Sequence, residues 1–376
     1  MKRPDWLAIL AAAASGLALA GPLAAGGDAP GWARPYLAAL VASAVLCAGG
    51  ANNPARWRLG SLMLALMSAA TAVALIWLLG AGLQSNAGWG YAAALAAVWL
   101  AAWHTVSWLA ALRPPAGWPA RLVNLAVPLI FGLTLLFLWE CGVRGFGSSM
   151  MKVILPAPSA IAARFGSSLP TLGADFVQTF KGVTAGYVMG CGAGILAAIL
   201  IDRSPFLQRG LLPLGNLVSA LPIVGVAPIM VMWFGFDWQS KAAIVVIMTF
   251  FPQLVNTVAG LASAGAMERD LMKTYAASYG QTLLNLRLPA ALPFIFNGLK
   301  INSTLALIGA IVAEFFGTPI VGMGFRINTE VGRMNIDMVW ATIVVAALAG
   351  SLFYGLLALA ERRATFWHAS YRQRAG

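Results

Sequence analysis

Asp270-Leu271-Met272-Lys273-Thr274-Tyr275-Ala276-Ala277-Ser278-Tyr279-Gly280-Gln281-Thr282-Leu283-Leu284-Asn285-Leu286-Arg287-Leu288-Pro289-Ala290-Ala291-Leu292-Pro293 is a polar, basic, helix-prone stretch between two long apolar segments. Loops between membrane helices are usually short, and this one has room for two short helices with a turn between them. Leu271, Tyr275 and Tyr279 stand four apart with Met272 and Ala276 beside them, which makes one helical face apolar and aromatic. Lys273, Thr274, Ser278 and Gln281 occupy much of the remainder. Such a helix can seat in a groove on a partner or lie on a membrane surface as an amphipathic connector. The pattern alone leaves both open. Leu288-Pro289 and Leu292-Pro293 restrict the backbone ahead of the next apolar segment, so the stretch can transmit force.

The flanking composition identifies the solvent. The chain is 60% hydrophobic and 10% charged, with mean hydropathy +0.81, far from the roughly 25% charged residues of soluble domains. A bilayer span needs about 20 apolar residues. Ten segments are read as spans, at about 6–26, 36–52, 61–82, 90–112, 123–142, 180–201, 211–234, 241–262, 296–316 and 338–360. The expected fold is all-α, a polytopic transmembrane helical bundle of about ten helices.

The net charge of +12 invites a nucleic-acid reading, and its distribution opposes one. With both termini placed inside, sixteen Lys and Arg fall in inner segments and eight in outer ones. The positive-inside rule accounts for this asymmetry and places the 270–293 stretch inside. Nucleic acid is therefore not an expected partner, whereas membrane lipid is.

Cys47, Cys141 and Cys191 show no paired spacing and read as small packing residues, so neither disulfides nor a zinc site are indicated. His104 and His368 have no carboxylate or cysteine cluster near them in sequence. Lys2-Arg3, an apolar run and Ala18-Leu19-Ala20 resemble a secretory signal, but with further spans following, an uncleaved anchor is the favoured reading.

Two regions are expected. Residues 1–120 hold four Ala- and Leu-rich segments and nine tryptophans, several placed as interfacial anchors, with no polar constellation. Arg113-Pro114-Pro115-Ala116-Gly117 is a breaker-rich link. In residues 121–376, Leu155-Pro156-Ala157-Pro158-Ser159 is followed by Thr179 and by Gly182, Gly186, Gly190 and Gly194, a stripe on one helix face that favours close packing over ligand binding. Leu221-Pro222, Ala227-Pro228 and Trp233-Phe234-Gly235 come next, then the 270–293 stretch, Gly298-Leu299-Lys300 and Ala313-Glu314-Phe315-Phe316-Gly317.

In order and spacing these elements resemble the inner-membrane permeases of ATP-binding-cassette importers, in the branch that moves nitrate, sulfonates, taurine and thiamine precursors. The family's coupling loop carries an acidic residue, a small residue six positions on, and Leu-Pro thirteen positions later. Asp270, Ala276 and Leu288-Pro289 match that register, with Asp for the usual Glu and Ala for the usual Gly. The resemblance implies a six-helix permease core after about four extra helices, and a coupling loop at about 263–295. Asp270, Leu271, Met272, Tyr275, Ala276, Tyr279, Leu288 and Pro289 would then face a cytoplasmic ATPase dimer. It further implies a second permease subunit, with a homodimer expected, an extracytoplasmic solute-binding protein, and location in a bacterial inner membrane. Ala276 would lie at the bend between two short helices, with little room for a larger side chain.

No Gly-x-x-x-x-Gly-Lys-Ser/Thr loop is present, so no cofactor is expected on this chain and ATP falls to a partner. No nucleophile–base pair stands out, so no catalytic residue is assigned. Pro222, Met230, Phe251, Asn256, Asn302 and Glu314 are candidates for the translocation pathway. Packing is the competing reading for Met230, Trp233, Phe250 and Phe251, and helix-to-helix hydrogen bonding for the two asparagines. Glu314 could line the pathway, pair with Arg326 or face interfacial water. Asp202-Arg203 reads as an interfacial pair. The alternative function is an ion-gradient-driven secondary transporter, which would need charged residues at mid-membrane and paired broken helices.

Overall fold

The structure is a computed structural model that describes residues 5–25, 31–50, 53–112, 117–204, 206–207, 209–210, 222–317 and 320–367. The 113–116 link, the 211–221 half of the seventh expected span, Leu221, Lys2-Arg3 and His368 lie outside the described residues. The chain packs as two compact units, residues 1–162 and 163–376.

The first unit contains α1 (Trp6–Ala20), α2 (Arg34–Gly49), α3 (Pro54–Leu78), α4 (Trp89–Ala111), α5 (Trp118–Phe146) and α6 (Ser149–Ile154). The start of α7 (Pro158–Ser167) also belongs to it. Asn53 caps α3 by accepting from the Ala55 amide at 3.1 Å, and Pro54 fits the first turn, where no amide partner is needed. Helices approach closely where the sequence supplies glycine. A Cβ at Gly60 would lie 2.6 Å from Cys47 Cα, so α2 and α3 touch backbone to backbone there. Tyr91 is wholly buried, and its hydroxyl donates to the Leu75 carbonyl at 3.3 Å. By contrast, α5 keeps Leu122, Leu125, Leu129, Leu133 and Leu136 exposed, an apolar surface suited to lipid.

The second unit contains α8 (Leu169–Arg203), α9 (Ile223–Phe234), α10 (Trp238–Ala262), α11 (Ala266–Thr274), α12 (Tyr279–Thr282), α13 (Leu288–Glu314), α14 (Met323–Gly332) and α15 (Ile336–Ala364). The glycine stripe of α8 packs on α10 as expected. A Cβ at Gly186 would lie 2.5 Å from Val245 Cβ and 2.6 Å from the Ala242 carbonyl. Gly182, Gly190 and Gly194 likewise face Lys241, Thr249 and the Phe250 carbonyl. The stripe brings two backbones together and leaves no room for a ligand.

Among the described residues, eight helices are long and apolar enough to cross a membrane. Of the ten expected spans, eight correspond to these helices, 6–26 falls on α1 with 15 residues, and the described part of 211–234 forms α9 with 12.

One expectation for the first unit is corrected. His104 is not isolated, and residues 1–120 do hold a polar cluster. Asp5 lies 3.0 Å from His104 Nδ1, while Ser61 Oγ and Cys47 Sγ lie 3.0 and 3.4 Å from Nε2. The four residues are far apart in sequence, and the antiparallel course of α1 to α4 brings four helix ends together.

Candidate functional site

The 270–293 stretch folds around a sharp bend. The helix α11 ends at Thr274, and Ala276 takes a left-handed conformation with φ of 51°. The Ala276 amide donates to the Lys273 carbonyl and the Ala277 amide to the Met272 carbonyl, both at 2.9 Å. This paired pattern is a Schellman motif, which satisfies the last carbonyls of the helix and favours glycine at the left-handed position. Glycine at position 276 would meet this backbone requirement without strain. Within this chain Ala276 is exposed, so what restricts it here is its φ. Ser278 then caps α12 reciprocally with Gln281, whose Oε1 accepts from the Ser278 amide at 2.7 Å.

The bend divides the expected apolar face. Leu271 and Tyr275 remain on the α11 side and are 56% and 77% exposed, joined by Met267 at 83%. Tyr279 falls on the next helix, 39% exposed, and donates its hydroxyl to Asp202 at 2.9 Å. The single face of Leu271, Tyr275 and Tyr279 is corrected accordingly, since helical periodicity does not continue through a left-handed residue. Asp270 is exposed and accepts from Lys273 at 2.9 Å, an interaction that holds its carboxyl below the usual range. Met272 is half-buried.

Beyond the bend the chain stays helical. The segment α12 continues through a π turn at Leu283–Arg287 into α13, and Leu288-Pro289 forms the first turn of α13. Leu288-Pro289 and Leu292-Pro293, expected to lie ahead of the next helix, lie within it. Pro289 has no amide to donate to the turn before it, and the wider π turn accommodates that gap.

Arg287 clamps this helical run to its neighbours. Its two Nη groups donate to the two carboxylate oxygens of Asp202, each at 2.5 Å, and its Nε donates to the Leu261 carbonyl at 3.0 Å. One guanidinium therefore joins α13 to the ends of α8 and α10. The Asp202-Arg203 pair read from sequence is corrected: Asp202 bonds Arg287 and Tyr279, and Arg203 lies 5.7 Å from the centre of the Tyr279 ring. Sequence reasoning missed the clamp. Its only sequence signal is a carboxylate at a helix end and an arginine just ahead of another.

Among the described residues the pathway candidates have different surroundings. Pro222 is exposed ahead of α9. Met230 is buried beside Ala227, Ile244 and Ala313. Phe251 meets Phe250 edge to face at 4.8 Å, against Ala198, Ile201 and Leu254. Asn256 donates to the Pro252 carbonyl and accepts from Asn297. Asn302 is wholly buried and donates to the Thr249 carbonyl at 2.9 Å. Trp233 is 71% exposed.

Glu314 sits at the opposite end of the unit from Arg287, in a buried polar knot. It accepts from Thr179 Oγ1 at 2.9 Å and from the Gly324 amide at 2.7 Å. Asp175 accepts from the Gly322 amide and from Arg326 Nε, at 2.9 and 2.8 Å. The hydrogen bond from Arg326 to Asp175 raises the arginine's pKa further above its ordinary value. Arg326 thus pairs with Asp175 rather than Glu314. Lys241, also buried, donates to the carbonyls of Phe236 and Gly317, which ties together the two ends rich in aromatics.

Comparison with known proteins places this architecture. Residues 190–366 match the family model described as binding-protein-dependent transport system inner membrane component. A formylaminopyrimidine transport permease of Halalkalibacterium halodurans is 31% identical over 64% of this chain and 95% of its own length. A riboflavin transport permease of Chloroflexus aurantiacus is 30% identical over 67% of this chain and 92% of its own. A probable ABC transporter permease of Haemophilus influenzae is 31% identical over 59% and 90%.

Proposed function

The chain belongs to the family of binding-protein-dependent inner-membrane transport components and is a multi-pass permease subunit of an ABC importer; on that premise we propose that residues 266–288 are its ATPase-coupling segment. The observation that carries this reading is the Arg287 clamp. Leu271, Tyr275 and Met267 offer an exposed apolar surface on α11, and Arg287 connects the same segment to α8 and α10. Displacing the segment would pull directly on two membrane helices. In this reading the segment and both termini face the cytoplasm, a partner ATPase dimer binds and hydrolyses ATP, and an extracytoplasmic binding protein delivers a small polar solute. A second copy of the permease completes the pathway. Residues 1–120 form an added membrane domain outside the coupling machinery. The relatives' names favour this reading over an ion-gradient-driven carrier.

The test is capture of the partner ATPase by permease reconstituted in vesicles. Replacing Leu271 and Tyr275 with Ala together removes two anchors worth about 3–6 kcal/mol, a loss of a hundredfold or more in affinity. Tyr279→Phe, whose hydroxyl serves Asp202, should dock normally. Equal docking by all three proteins would refute the coupling role and leave α11 as a membrane-surface helix.

A further inference from the structure

The first unit contains a polar cluster that lies outside the segment assigned above to coupling. We propose that Cys47, His104 and Ser61 form a binding site for a borderline-soft divalent cation, of which Zn²⁺ is the best fit, with Asp5 positioning the histidine. Cys47 Sγ, His104 Nε2 and Ser61 Oγ make a triangle with edges of 3.4, 3.0 and 3.5 Å. A tetrahedral ion with bonds of about 2.0–2.3 Å spaces its ligand atoms roughly 3.3–3.7 Å apart. The triangle therefore approximates one face of such a coordination shell, leaving the fourth position for water.

The carboxylate of Asp5 is close to the cysteine and histidine, but it addresses the other side of the imidazole. It lies 3.0 Å from Nδ1, whereas the thiol and hydroxyl lie at Nε2. It cannot share an ion with Cys47 through that ring nitrogen. It instead holds the Nδ1 proton, which leaves the Nε2 lone pair facing Cys47 and Ser61, the carboxylate–histidine arrangement that orients metal-ligating imidazoles. The Trp57 indole donates at 3.2 Å to Asp5 Oδ2, the same oxygen that lies 3.0 Å from Nδ1, and fixes the carboxylate in turn.

Charge and packing agree with this geometry. Cys47 and Ser61 have no exposed surface and His104 is 3% exposed, so an ion there would need its charge balanced locally. A Cys47 thiolate and the Asp5 carboxylate supply two negative charges for a divalent cation. On binding, the thiol proton leaves to solvent and a sulfur–metal bond replaces the S–H bond, with no redox change. Gly60 makes the site possible, because any side chain there would push α3 away from Cys47 and separate Ser61 from it. Asp5, 18% exposed, lies on the open side of the cluster.

The test uses the full chain, purified on a histidine-free tag under reducing conditions, loaded with Zn²⁺ and washed with a weak chelator. Elemental analysis should find about one zinc per wild-type chain. Co²⁺ loading should add the visible absorption of a tetrahedral site and a thiolate charge-transfer band. Cys47→Ala and His104→Ala should lose both signals, Asp5→Asn should bind about 10–100-fold more weakly, and Cys141→Ala should bind as wild type. Cys47→Ala removes only a sulfur atom, so it keeps the test decisive if His104→Ala does not fold. A wild-type chain that retains under about a tenth of an equivalent, or a Cys47→Ala chain that retains as much as wild type, would overturn the proposal and leave the cluster as a hydrogen-bonded staple among four helices.

Discussion

Arg287 and Asp202 meet end on, both guanidinium Nη groups against both carboxylate oxygens, 85 residues apart in sequence and about one-sixth exposed. Bidentate pairing fixes orientation as well as distance, so α13 cannot rotate about its axis without moving the end of α8. The Nε bond to the Leu261 carbonyl adds the end of α10. One side chain thus joins three helix ends just beyond the bend that follows Leu271 and Tyr275.

Breaking this pair should uncouple the transporter before it disassembles it. Asp202→Ala or Arg287→Ala leaves a partly buried charge without its partner, at a cost of about 3 kcal/mol. The double variant should lose little more than either single one, because the second change removes the orphaned charge. Thermal unfolding of the four proteins measures the cycle. ATPase binding should persist through α11 while solute moved per ATP falls severalfold. Additive losses in stability would show that the two residues act separately.

Packing between α8 and α10 should tolerate no added volume. Gly186→Leu places four carbons where a Cβ alone would already sit 2.5 Å from Val245 Cβ, and overpacking of this kind costs about 1–3 kcal/mol. Gly192, on the same helix, has nothing within 4 Å of where a Cβ would stand, so it should accept Leu with a change under about 0.5 kcal/mol. The difference in melting temperature between Gly186→Leu and Gly192→Leu measures the stripe directly.

The glycine stripe and the apolar spans were legible in the sequence because each is a property of one helix with a fixed period. The helical character of the 270–293 stretch was legible through its spacing, although the sequence could not show that Ala276 interrupts the period and sends Tyr279 to a different face. The Arg287–Asp202 clamp and the Asp5–His104–Cys47 cluster were not legible. They depend on which helix ends become neighbours, and no local pattern in a single sequence encodes that. Glu314 stood out as an intramembrane acid, but its partners Thr179 and Gly324 come from other elements, so its use could not be read in advance.

Glu314 provides a test between scaffold and pathway. Glu314→Ala would strand the Gly324 amide and leave Thr179 short of a partner in a buried site, at a cost of about 2–3 kcal/mol. Glu314→Gln keeps an oxygen for Gly324 and an amide donor toward Thr179, so its cost should stay under about 1 kcal/mol. A scaffold role predicts that transport follows stability, with Gln active and Ala impaired. Transport lost in Glu314→Gln at unchanged melting temperature would instead place the charge in the solute's path.

The bend at Ala276 separates a backbone requirement from a size requirement. At φ of 51° a side chain with a Cβ is strained, and glycine is not. Ala276→Gly should therefore steady the Schellman motif by about 1 kcal/mol, slowing amide exchange at Ala277 about fivefold. Ala276→Val, β-branched and harder to hold in the left-handed region, should loosen it by about 1–2 kcal/mol and weaken ATPase docking correspondingly. Asn is larger than Ala yet adopts this conformation more readily, so Ala276→Asn decides between the two requirements. If φ is the restriction, Asn should exchange more slowly than wild type and dock at least as well. If space against the ATPase is the restriction, Asn should dock worse than Ala while its exchange still slows, and the two measurements would part company at this residue.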